Sequence, residues 1–131
     1  MNMKTSINPF NWHFADDQGV LVRSPKEWLF VSGQTAMSDD GHPQHPEDLR
    51  AQVELSLSNL KAVLQAGKMS LSDVVQLNTH VLDVDQFQTG AADVFEREFA
   101  AANVSPPGVL SQVVRLGHPA LLIEIDAIAV R

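Results

Sequence analysis

Residues 121–130 read Leu-Leu-Ile-Glu-Ile-Asp-Ala-Ile-Ala-Val. Successive side chains of a strand point to opposite faces. Leu121, Ile123, Ile125, Ala127 and Ala129 therefore make one wholly apolar face. Leu122, Glu124, Asp126, Ile128 and Val130 make the other, apolar apart from two carboxylates. A strand apolar on both sides is normally covered on both. A carboxylate there either lies at an exposed edge or is kept for its chemistry. Val109–Leu116 reads as a preceding strand, joined through a turn at Gly117-His118-Pro119.

Upstream, Val20–Arg23 and Trp28–Ser32 flank Ser24-Pro25-Lys26-Glu27, the pattern of a hairpin with a four-residue loop. Residues 46–66 carry the clearest helical period. Leu49, Val53, Leu57, Leu60 and Leu64 form one apolar stripe. Pro46 suits a first turn, Glu47 and Asp48 suit its positive end, and Gly67 suits a stop. Ser72–Asp83 alternates as a strand, with Val75, Leu77, Thr79 and Val81 on one side and Gln76, Asn78 and His80 on the other. Residues 85–102 predict a second helix with Asp85 as N-cap, Phe87, Ala91, Val94, Phe95 and Phe99 inward, and Gly90 relieving crowding. Asn103–Gly108, with two prolines and a glycine, breaks it.

Hairpin, helix, strand, helix and two strands make an α+β chain. We expect one domain over 1–131, a mixed sheet with two helices on one face. Two helices leave the other face open, and Leu122, Ile128 and Val130 would stand exposed there in a monomer. A patch of that kind predicts an oligomer whose sheets pack together.

Composition narrows the function. The 131 residues are 44% hydrophobic and 19% charged, and the net charge of −7 argues against nucleic acid as a partner, which calls for a basic field. The absence of cysteine removes disulfides, thiolate nucleophiles and thiolate metal sites. His42 and His45 read as exposed loop residues rather than metal ligands. No leader-like or membrane-spanning run is seen, and a cytoplasmic chain is expected. Phe10, Trp12 and Phe14, spaced by two, share a face if extended. They either pin the terminus to the body or wall a ligand cleft. Ser32-Gly33-Gln34 ends a strand with a glycine, which permits a bulge or close approach of a ligand.

Taken in order, several short stretches resemble the YjgF/Rid family of reactive-intermediate deaminases along essentially the whole chain. They are Ser32-Gly33-Gln34; Gln52 through Gly67 with Leu57, Asn59 and Leu60; Asp73-Val74-Val75; Asp83 through Phe87; and Arg115-Leu116 followed by Ile123 through Val130. The resemblance implies a homotrimer of chorismate-mutase-like subunits with three small-molecule clefts between neighbours. It also implies hydrolysis of enamines and imines such as 2-aminoacrylate to 2-keto acids and ammonia, without metal or organic cofactor. The family's acid/base glutamate matches Glu124, its signature glycine Gly33, and a backbone contact on the penultimate strand Leu110. Its carboxylate-binding arginine falls at Gly108, its asparagine at Ala91, and its cleft tyrosine has no counterpart. Arg115 matches a different arginine of the signature.

Without that arginine, weak or absent activity on 2-imino acids is expected. A less anionic, larger and flatter ligand is favoured, with Trp12 among the residues that meet it. Three alternatives stay open. The chain is a true imine deaminase anchored by Gln112, by His118 of a neighbour or by amides around Gly108; or it is a non-catalytic, chaperone-like trimer; or, with little weight for so acidic a chain, it acts on RNA. Which of His13, His80 and His118 reaches a cleft is open at this level.

Overall fold

The computed structural model describes residues 2–131. Six strands and three helices follow one another as β1 (Lys4–Ile7), β2 (Gly19–Val22), β3 (Trp28–Gln34), α1 (Leu49–Ala66), β4 (Val74–Val81), α2 (Val84–Gly90), α3 (Ala92–Ala101), β5 (Leu110–Gln112) and β6 (Ile123–Val130). The main sheet runs β3-β6-β4-β5, antiparallel except for the β4–β5 pair, and the helices pack on one face of it. The alternation in β6 is realised. Leu121, Ile123, Ile125, Ala127 and Ala129 are all buried, the last four in one core with the α1 stripe of Leu49, Val53, Leu57, Leu60 and Leu64.

One polar residue aligns this core. Gln52, on α1, is fully buried. Its Nε2 donates to Ala120 O at 2.7 Å and its Oε1 accepts from Leu122 N at 2.8 Å. A buried amide satisfied on both ends fixes the start of β6 against the helix, because a shift of either element would orphan a polar group.

Several local expectations need correction. β2 pairs with β1, not β3, in a separate two-stranded sheet, and β3 instead pairs with β6. Ser24 sits at φ 47°, and the Lys26 and Glu27 amides bond Arg131 O, so the chain turns away from β2 toward the C-terminal strand. Helix α1 begins after Asp48, whose side chain caps Ala51 N at 3.0 Å; Pro46 lies outside, between His45 and Glu47 at positive φ. A 3-10 turn at Leu71–Asp73 precedes β4, and β5 holds only three residues.

The second helix is two, which makes three helices where two were expected. Ala91 (φ −149°, ψ −16°) interrupts it, and Asp83 rather than Asp85 caps the first piece. Arg50 spans the break, donating to Gly90 O at 3.2 Å and forking onto Asp93 at 2.7 and 2.9 Å. Gly90 relieves no crowding, since a Cβ there would meet nothing within 4 Å. Its φ is not positive. Gly90→Ala is therefore expected to stabilise the fold by about 0.4–1 kcal/mol, chiefly by restricting the unfolded chain, seen as a higher urea midpoint.

The uncovered face also differs in detail. Val130 is buried and Leu122 packs on the core. Trp28 and Phe30 stand out instead, 54% and 69% exposed, with rings stacked at 6.2 Å. Among the described residues no helix is long and apolar enough to cross a membrane.

Candidate functional site

Glu124 lies on the open face of the central strand β6, flanked by β3 and β4. On the β3 side the ladder is irregular between Val31 and Gln34, and Gly33 sits in that irregularity. A Cβ on Gly33 would come within 2.7 Å of Glu124 Cδ and 3.0 Å of its Oε1. The glycine therefore leaves room for the carboxylate to lie against the β3 backbone.

On the β4 side the register partner of Glu124 is His80. His80 Nε2 lies 3.0 Å from Asp126 Oδ2, and Asn78 Nδ2 donates to Asp126 Oδ1 at 2.9 Å. Asn78 Oδ1 in turn accepts from Val109 N at 3.2 Å. A hydrogen-bonded row thus crosses from β6 over β4 to the segment leading into β5. Both Asp126 oxygens are engaged, while Glu124, two residues earlier on the same face, is partly buried and holds no such partner among the described residues. The outward positions of β3, β4 and β6 carry two carboxylates and one imidazole but no lysine or arginine. A free carboxylate beside an oriented imidazole can accept and return a proton. It does not attract an anion.

Gly108 and Leu110 fall in a different place. Pro107 O accepts from Leu77 N at 3.0 Å and Val109 O from Thr79 N at 2.8 Å, extending the β5 ladder backward along β4. Gly108 lies between them. A Cβ there would sit 1.7 Å from Leu77 O, so no side chain fits this backbone. Gly108 and Leu110 line a cavity of about 700 Å³ at the helix side of the β5 edge, together with Phe14, Asp16, Phe95 and Glu96. Neither Glu124 nor Gly33 lines it.

The remaining residues singled out by sequence are scattered. Gln112 is engaged, its Oε1 accepting from Val84 N at 3.0 Å. Trp12 stacks on Phe10 at 4.8 Å and meets the edge of Phe14 at 6.2 Å, 58% exposed; only Phe14 of this trio lines the cavity. His118 braces the turn before β6 by accepting from Ala120 N at 3.0 Å, and His13 is exposed. Of the three histidines, His80 shares the face of Glu124. The sequence pattern marks Asp126 only as the second carboxylate of the β6 face and gives Asn78 no role beyond its place on the mixed side of β4. Among the described residues no three His, Asp or Glu side chains converge as a metal site.

Residues 18–131 match the family model described as Endoribonuclease L-PSP. A putative reactive intermediate deaminase, TdcF of Escherichia coli, is 33% identical over 115 residues, 87% of this chain and 84% of the relative. The crystal structure of TdcF with bound serine superposes with a TM-score of 0.71 at 30% identity, covering 96% of this chain and 91% of that one. The 2-iminobutanoate/2-iminopropanoate deaminase of Escherichia coli is 37% identical over 87 residues, 66% of each chain. The Rid protein YyfB from Yersinia pestis, of unknown function, superposes with a TM-score of 0.87 at 28% identity over 99% of this chain and all of that one. Matched over its strands and helices alike, the chain belongs to the YjgF/Rid family.

Proposed function

We propose that three copies of the chain assemble through their open sheet faces and hydrolyse a carbon–nitrogen double bond in clefts between neighbours. In each cleft Glu124 and Gly33 of one copy would meet Gly108, Leu110 and the cavity of the next. The observation that carries this reading is the free, partly buried Glu124 carboxylate held against Gly33 in the middle of the sheet. The exposed Trp28–Phe30 stack supports assembly, because a lone chain would leave it in water. The relatives named as imine deaminases support the reaction type.

The chemistry follows from one carboxylate. Water adds to the carbon of the protonated imine as the C=N pair moves onto nitrogen, and Glu124 accepts the proton that water loses. The protonated Glu124 then donates to nitrogen, the C–N bond breaks, and ammonia leaves as the C=O forms. The remaining hydroxyl proton returns to the carboxylate or solvent. His80, held by Asp126, stands across from Glu124 and keeps the face polar during this exchange.

The substrate differs from a 2-imino acid in charge. A fixed arginine would hold a substrate carboxylate through a bidentate pair, but the matching position is Gly108, where no side chain fits. An anion would meet Glu124 and Asp126 instead. Imines generated in situ by amino-acid and amine oxidases, with loss of the trapped imine followed, test the reaction. Acceleration over buffer by a species of three times the 14.3 kDa chain mass is expected. No acceleration for any imine would end the reading. Gly33→Ala pushes the carboxylate by about 1 Å and is expected to lower kcat/KM on an accepted imine about 10- to 100-fold, with the melting curve little changed.

A further inference from the structure

We propose that the cavity between the N-terminal arm and α3 selects organic cations bearing an aromatic or other flat apolar body. This names the substrate class of the hydrolytic site proposed above, and rests on that reading for the reaction but not for the binding.

The cavity has two chemically distinct parts. Phe87, Phe95, Phe99 and Leu77 present apolar surface, and Phe14 from the arm closes one side. About 700 Å³ is room for a single- or double-ring molecule. Asp16 and Glu96 line the same cavity, on the arm and on α3, and no lysine, arginine or histidine lines it. Neither carboxylate joins any ion pair among the described residues. Although Asp16 reaches the surface, partial loss of water raises its carboxyl above the ordinary value, and the charges of Glu96 and Asp17 push the same way. A bound cation would offset that repulsion while its apolar body displaces water from the phenyl rings. The cavity of similar size between β1–β2 and β4 offers no such pairing. Its Lys4 already donates to Ser72 O, and its Asp17 is bonded to Ser6 and Asn8.

The inference fits the chemistry above. A protonated imine is itself a cation, and with water it yields a ketone or aldehyde and a protonated amine, conserving charge. A site tuned to cations would hold the activated form of the substrate.

The test is calorimetric titration of the full chain, in its native assembly, with three unreactive probes of one shape: 2-phenylethylammonium, 2-phenylethanol and 3-phenylpropanoate. The cation is expected to bind about 10-fold or more tighter than the alcohol, with the anion weakest. Amide shifts are expected at Glu96, Phe99 and Leu110. In the Asp16→Asn, Glu96→Gln double variant the preference for the cation should vanish while alcohol binding is kept, and a thermal melt confirms the fold. Equal binding of cation and alcohol, tighter binding of the anion, no binding of any probe, or a preference that survives the double substitution would each overturn the proposal. None of the probes has a C=N bond, so failure of hydrolysis and failure of cation selection are separately visible.

Discussion

Gly108→Ala is expected to destabilise the chain by about 3 kcal/mol or more. The added methyl would lie 1.7 Å from Leu77 O and 2.6 Å from Leu77 C, and both are backbone atoms with no rotamer to yield. The segment must lift from β4. The bonds from Leu77 N to Pro107 O and from Thr79 N to Val109 O would lengthen or break, and so would the contact from Val109 N to Asn78. Each such bond is worth about 0.5–1.5 kcal/mol net, and overpacking adds about 1–3 kcal/mol. Urea unfolding measures it, as a lower midpoint with an unchanged slope, and Gly90→Ala serves as the control in which the same methyl meets open space. For the same reason Gly108→Arg should not create an anchor for a substrate carboxylate. The side chain would arrive on a displaced strand. A Gly108→Ala variant as stable as the parent would show that β5 does not grip β4 at this point.

The second large effect is on rate. Glu124→Gln is expected to lower kcat/KM on an accepted imine about 10²- to 10⁴-fold, the contribution of a positioned general acid/base, and to leave stability within about 0.5 kcal/mol. Glutamine matches the shape of the side chain, so the clearance at Gly33 persists, and no hydrogen bond of Glu124 is lost. Asp126→Asn is the discriminating partner. Both oxygens of Asp126 are held by His80 and Asn78, so its loss should disturb the orientation of His80 and reduce the rate less. Equal losses in the two variants would mean that proton transfer is shared between the carboxylates.

How much of this was legible beforehand follows from sequence distance. The β6 alternation and the α1 stripe report local period, and Ile123 to Ala129 meet Leu49 to Leu64 in the core. The partner of β3 was not legible, because Trp28 pairs with Val130 across a hundred residues, and the nearer run at Val20 offered an equally good pattern. The division of the second helix was hidden because Ala91, a good helix former, takes the non-helical turn, stabilised by Arg50 from another element. Gln52 reads as an ordinary polar residue of a helix, yet it is fully buried, because Ala120 and Leu122 on the approach to β6 satisfy it together with the Gln44 and His45 carbonyls. For the site, Glu124 and Gly33 were named separately, and the fold brings them into contact. The same motif reading groups Gly108 and Leu110 with them, but the fold sets those two at a separate cavity, since period and motif carry no information on which cavity a residue lines.

A matched pair of substrates tests the central claim most directly: an imine carrying an aryl group and a carboxylate, and the same imine with the carboxylate replaced by a neutral carboxamide. Steady-state hydrolysis of both by the wild-type protein gives two values of kcat/KM. The neutral compound is expected to be the better substrate, by about 10-fold or more if the missing charge-assisted anchor and the two facing carboxylates act as argued. Faster turnover of the carboxylate would mean that the cleft holds an anion anchor outside Gly108, and acceleration of neither compound over buffer would mean that Glu124 does no such chemistry.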